Sequence, residues 1–128
     1  MTIKKIITVP DPLLKEISEP ISKVDSKIRS LLDDMLETMY EAPGIGLAAV
    51  QVGIPLRLIV MDVSWREEDG NKEPKFLINP KIVSKSQKMS SYEEGCLSIP
   101  EQYAEIERPE SCIVAVSYTH LTLPTILL

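Results

Sequence analysis

The sequence predicts an α+β fold in which one amphipathic N-terminal helix packs against short, mostly antiparallel strands. Three observations carry that expectation. A single long stretch, Asp25 to Glu41, has helical hydrophobic spacing. Beyond Glu41 the chain reads as short apolar or alternating runs separated by Gly, Pro and polar clusters. No helical pattern lies between those runs, so crossover connections are lacking and antiparallel pairing is favoured.

At the N-terminus, Asp11 followed by Pro12 has the form of a cap and first turn for a short helix through Leu13, Leu14 and Ile17, ending near Pro20. In the long helix, Ile28, Leu31, Leu32, Met35, Leu36 and Met39 fall on one face, Asp25 caps the start, and Pro43 with Gly44 stops the end. Strands are then expected in RLIVMDV (57–63), KFLINP (75–80) and KIVSKS (81–86), and in CLSIP, YAEIE and SCIVAV. The polar segment REEDGNKEP (66–74) reads as a hairpin connection.

Composition narrows the function. At 128 residues, with 44% apolar and 26% charged residues, the chain is expected to fold as one domain with a modest core. The net charge is −5, and the basic residues are scattered apart from Lys4 and Lys5, which argues against nucleic acid as a partner. The opening MTIKKIITVPDP is too short an apolar run for a signal peptide, and no stretch approaches a membrane span. A cytoplasmic protein is expected. Two cysteines, Cys96 and Cys112, are too few for a disulfide scaffold, although a bridge between them is the bland alternative.

Two stretches carry chemistry. In PGIGLAAVQVG (43–53), Gly44 and Gly46 permit close backbone approach, Ala48 and Ala49 keep the next turn small, and Gln51 brings an amide into an apolar setting where it needs partners. The glycine spacing superficially resembles a dinucleotide fingerprint. That motif needs a strand before it and a helix after it, whereas here a helix precedes and a β-like run comes after. A helix stop leading into a tightly packed strand is the plainer reading of the glycines and alanines. In YEEGCLSIPEQ (92–102), Cys96 comes directly after Gly95, where a thiolate could bind a borderline metal. A buried structural cysteine is the commoner role for an isolated one.

Taken together, GIGLAAVQ (44–51) and EGCLS (94–98), in this order and at this separation, resemble the first two signature motifs of the peptide deformylases. The likeness extends to DPLLKEISEPI, LLDDMLETMYEAPGIGLAA and INP, and covers approximately residues 3–115. The resemblance implies a metal-dependent hydrolase that removes the formyl group from the N-terminal formylmethionine of nascent proteins, near the ribosome. It implies Fe2+, replaceable by Zn2+, Ni2+ or Co2+, held by Cys96 and by two histidines of a third motif, HExxH, on a C-terminal helix. It further implies that Gln51 and the Leu97 N–H stabilise the oxyanion, and that Ile45, Gly46 and Gly95 line the substrate cleft. Glu94 is expected to orient its motif through hydrogen bonds, and Glu93 to be a solvated charge.

The sequence departs from that pattern at its end. It contains no HExxH, and its one histidine, His120, is followed by Leu-Thr-Leu-Pro. A site made from Cys96, Cys112 and His120 matches no defensible zinc spacing. VSYTHLTLPT (116–125) resembles the translation of a transposon-end adapter used in sequencing libraries. The expectation is a deformylase domain at 1–115, lacking the family's C-terminal helix, followed by a non-native tail at 116–128; the rival is a real C-terminal strand. Such a chain is expected to be inactive, with the sheet and the apolar side of the long helix left uncovered. The alternative function is a noncatalytic deformylase-like domain that binds nascent N-termini.

Overall fold

A computed structural model describes residues 3–66 and 70–117, together with the backbone of 122–127. Asp25 opens the long helix as its position suggests: its Oδ1 accepts from the Ile28 N–H at 3.0 Å, and α1 runs from Ser26 to Glu41. Leu32, Met35 and Met39 share one face and are buried. Thr38 lies among them as a polar residue, and is satisfied by donating to the Asp34 carbonyl at 2.7 Å and accepting from the Lys4 N–H at 2.8 Å. Ala42 caps the end, and the Gly44 N–H still reaches the Met39 carbonyl at 2.7 Å before the chain turns away.

The earlier short helix is a single 3₁₀ turn, Pro12–Lys15, with the expected Asp11 cap on the Leu13 N–H. It does not extend to Ile17, which is 92% exposed. No residue of the turn is buried, so no packing supports a longer helix.

The helix covers a three-stranded antiparallel sheet of β1 (Gly46–Ala48), β2 (Leu58–Met61) and β3 (Lys75–Ile78), in that order. Leu47 pairs with Val60 across β1 and β2, and Leu58 with Ile78 across β2 and β3. Leu58 and Val60 alternate inward and meet α1 in a core with Ile21, Leu47, Ala49 and Ile78. The described part of the 66–74 segment, residues 66 and 70–74, lies in the connection between the antiparallel strands β2 and β3, as expected of a hairpin loop, and residues 67–69 lie outside the described residues. Just beyond β3, Asn79 clamps the N-terminal segment. Its Oδ1 accepts from the Ile21 N–H and its Nδ2 donates to the Ile21 carbonyl, both at 2.7 Å.

The remaining strands form two further antiparallel sheets. β4 (Lys81–Lys85), β7 (Ser111–Ala115) and β8 (Thr122–Leu127) lie in the order β4-β7-β8, and β5 (Met89–Cys96) pairs with β6 (Ile99–Pro109). CLSIP is therefore not a strand of its own: Cys96 closes β5, Leu97 and Ser98 turn, and Ile99 opens β6. The apolar side of α1 is also not left open, because β1 and β2 cover it. The exposed apolar side chains include Ile82 and Val83 of β4 and Ile113 of β7. His120 lies outside the described residues. Among the described residues, no helix is long and apolar enough to cross a membrane.

Candidate active site

The helix stop at Pro43 and Gly44 feeds directly into β1, whose end turns over into the 3₁₀ turn Ala49–Val52. A helix before and a strand after the glycines is the reverse of a dinucleotide-binding turn. The 3₁₀ turn carries Gln51, and its geometry fixes how the amide faces. Oε1 accepts from the Ala48 N–H at 3.0 Å, so Nε2 must point the other way. It donates to the Ser98 hydroxyl at 3.2 Å and toward the Cys96 sulfur at 3.7 Å.

The second stretch meets the first because the β5–β6 hairpin turns at Leu97 and Ser98. Cys96 pairs with Ile99 while Gly95 pairs with Tyr103, so β6 bulges between those positions, where Glu101 adopts φ 63°. Cys96 is a free, exposed thiol, and Cys112 is free and buried, so no disulfide joins them. Ser98 is buried and anchors the turn; its carbonyl accepts from the Val9 N–H at 2.9 Å. Two residues earlier in the same segment, the Ile7 N–H donates to the Gln51 carbonyl at 2.8 Å, so one N-terminal segment ties both stretches together.

The glycines allow that approach. A Cβ on Gly44 would lie 2.7 Å from Leu97 Cδ1, and one on Gly95 would lie 2.7 Å from the Tyr103 ring. Gly46 has no neighbour closer than 3.9 Å at the same position, so its face is open. Ile45 is 45% exposed beside it. Gln51, Cys96, Leu97 and Gly44 thus converge, with Ile45, Gly46 and Gly95 at exposed positions around them.

Glu94 is held by Arg108, whose Nε donates to Oε2 at 2.7 Å; this bond, with the guanidinium charge, keeps the Glu94 carboxyl below the usual range. Glu93 is exposed, opposite Glu105 on β6. Ser98 was not legible as a site residue, although a small polar residue between Leu97 and Ile99 in a turn was its signal.

The donor set does not fit a resident ferrous ion by itself. Cys96 offers one soft ligand, and among the described residues no group of three His, Cys, Asp or Glu side chains could hold a metal. What the described residues can do is present an oriented amide beside an exposed thiol.

The sequence profile described as polypeptide deformylase matches residues 3–125. A peptide deformylase of Rhodopseudomonas palustris strain TIE-1 is 55% identical over 121 residues, covering 94% of this chain and 68% of the relative. One of Rhizobium meliloti is 57% identical over 114 residues, covering 89% of this chain and 64% of the relative. Among solved structures, the peptide deformylase of Ehrlichia chaffeensis in complex with actinonin superposes with a TM-score of 0.84 at 46% identity, covering 91% of this chain and 69% of that one. That of Thermotoga maritima gives 0.81 at 39% identity, covering 91% and 74%. The chain therefore spans about two thirds of the length of these relatives.

Proposed function

The chain belongs to the polypeptide deformylase family, and from that membership we propose that its protein hydrolyses the formamide of N-terminal formylmethionine on nascent polypeptides, releasing formate and a free amine. The observation that carries this reading is the meeting of the Gln51 amide with the Cys96–Ser98 turn. Water adds to the formyl carbon, and its carbonyl oxygen becomes negative. Gln51 is suited to receive that charge. One Nε2 hydrogen is committed to Ser98, while the other rests on sulfur, a weak acceptor that a substrate oxygen would replace. The Leu97 N–H is the second proposed donor, and losing one such donor typically costs about 10²- to 10³-fold in rate. Ile45, Gly46 and Gly95 are proposed to flank the peptide, whose backbone can lie along exposed strand residues.

In this reading Cys96 would be one thiolate ligand of a ferrous or other divalent ion in the intact protein, and its two partners would be the histidines of the family's third motif, HExxH, which these 128 residues do not contain. A second reading, in which the chain holds formylmethionyl N-termini in the cytoplasm without hydrolysing them, gains if the native reading frame stops before such a motif, and the enzyme reading stands if the intact gene continues to one. The division into a domain at 1–115 and a non-native tail at 116–128 is part of the proposal. Genomic reads crossing that boundary would remove it.

Formate release from a formyl-methionyl peptide tests the reading. The intact coding sequence, expressed with iron, is expected to turn over the peptide, and the 128-residue chain is expected to show neither turnover nor stoichiometric iron. An inert intact protein would sink the deformylase reading, and iron retention with turnover by the 128-residue chain would sink its inactivity.

A further inference from the structure

A buried carboxylate must find donors for both its oxygens. Asp62, 1% exposed at the end of β2, does so with its own turn and with α1. Oδ2 accepts from the Tyr40 hydroxyl at 2.6 Å and the Glu73 N–H at 2.8 Å. Oδ1 accepts from the Ser64 N–H and hydroxyl, both at 3.1 Å, and from the Trp65 N–H at 3.3 Å. These bonds wrap residues 62–65 around the carboxylate and fix the backbone from which the Trp65 side chain leaves.

The ring stands edge-on to Tyr40, with centroids 5.0 Å apart and an 80° interplanar angle. Its Nε1–H donates to the Gly44 carbonyl at 3.1 Å, and the Asp62 N–H donates to the Ile45 carbonyl at 2.9 Å. Two successive carbonyls of the first signature stretch are therefore held by one turn. Leu97 packs against that same Gly44, with Cδ1 2.7 Å from where a Cβ would be. Leu97 is the next residue after Cys96.

We infer that Trp65, oriented by Asp62, is a positioning residue for the deformylation site: by holding the Gly44 carbonyl it sets where Leu97 and Cys96 stand relative to Gln51. The inference rests on the reading of Gln51, Cys96 and Leu97 as the reacting centre. Trp65 touches none of the reacting groups; it acts through Gly44.

Iodoacetamide alkylation of the folded full chain at a single pH tests this, with peptide mapping to separate the two cysteines. Exposed Cys96 is the reporter, and buried Cys112 records the integrity of the fold. Trp65→Phe keeps a ring and removes the donor. Cys96 is expected to react about two- to fivefold faster in this variant, the order of effect of one net hydrogen bond, while Cys112 stays protected. An unchanged Cys96 rate overturns the inference. So does concurrent exposure of Cys112, which would assign Trp65 to the fold as a whole. The readout needs no formate release, so a failed deformylase reading is seen separately in the turnover assay.

Discussion

The side-chain amide of Gln51 stands 3.7 Å from the Cys96 sulfur although 45 positions separate the two residues in the chain. Its direction is set from behind, by the Ala48 N–H on Oε1. The two halves of this side chain therefore do different work, and substitution can part them. Gln51→Glu keeps an oxygen for Ala48 and loses both amide hydrogens. In the intact protein it is expected to lower formate release by about 10²- to 10³-fold. Gln51→Ala also abandons the Ala48 N–H and is expected to destabilise the fold by about 1–3 kcal/mol in urea melts. Equal turnover in wild type and Gln51→Glu would remove Gln51 from the oxyanion site.

The Tyr40–Asp62 pair predicts a stability profile with two limbs. Burial alone would raise the Asp62 carboxyl, but hydrogen bonds from Tyr40, Ser64 and Glu73 outweigh it and hold the group below its ordinary value. Its contribution is therefore present above the ordinary aspartate pKa of about 3.9 and is lost as pH falls through the lower folded value. The Tyr40 phenol is pushed up by burial first and by its bond to Asp62 second. Its contribution is present below the ordinary pKa of about 10 and is lost as pH rises toward the folded value. Urea midpoints across pH should show the acid limb flattened in Asp62→Asn and the alkaline limb flattened in Tyr40→Phe. Unaltered limbs in both variants would count against the pair.

Asn79 offers a third test. It adopts φ 51° and makes two 2.7 Å hydrogen bonds to the backbone of Ile21. Asn79→Ala loses both bonds and places an alanine in a left-handed conformation, so a loss of about 2–4 kcal/mol is expected. Asn79→Asp retains the acceptor and should lose less. If the two variants unfold at the same urea concentration, the clamp is not what Asn79 contributes.

Gly44 and Leu97 form a coupled pair. Gly44→Ala places a methyl 2.7 Å from Leu97 Cδ1 and should cost about 1–3 kcal/mol through overpacking. In the Gly44→Ala, Leu97→Ala double variant the clash is gone, so the two costs should fall short of additive by at least about 0.5 kcal/mol. Strict additivity would show that the two side chains do not meet.

The sequence disclosed those features that depend on local pattern. Asp25, the apolar spacing of α1 and the stop at Pro43 and Gly44 obey rules acting within a few residues, and the structure carries them as read. The short helix through Ile17 failed because propensity without a buried face does not hold four residues in an α-helix. The site divides the same way. Cys96 and Gln51 could be singled out from their neighbours in the chain, but Ser98, Asp62 and Trp65 act through partners distant in sequence, such as Gln51, Tyr40 and Gly44. Only folding shows which of several serines and aspartates is buried.

The separation of the described strands into three sheets has a consequence for how the molecule breathes. The main cluster of buried apolar side chains draws on α1, the β1-β2-β3 sheet and the segments leading into it, whereas β5 and β6 contain no buried residue. Amide hydrogens should accordingly exchange with solvent in tiers. Those of Val60 and Met39 should await global opening, while those along the β5–β6 ribbon escape through local openings. Cys96 belongs to the fast tier and Gln51 adjoins the slow one, so the two motifs meet across a boundary of cooperativity.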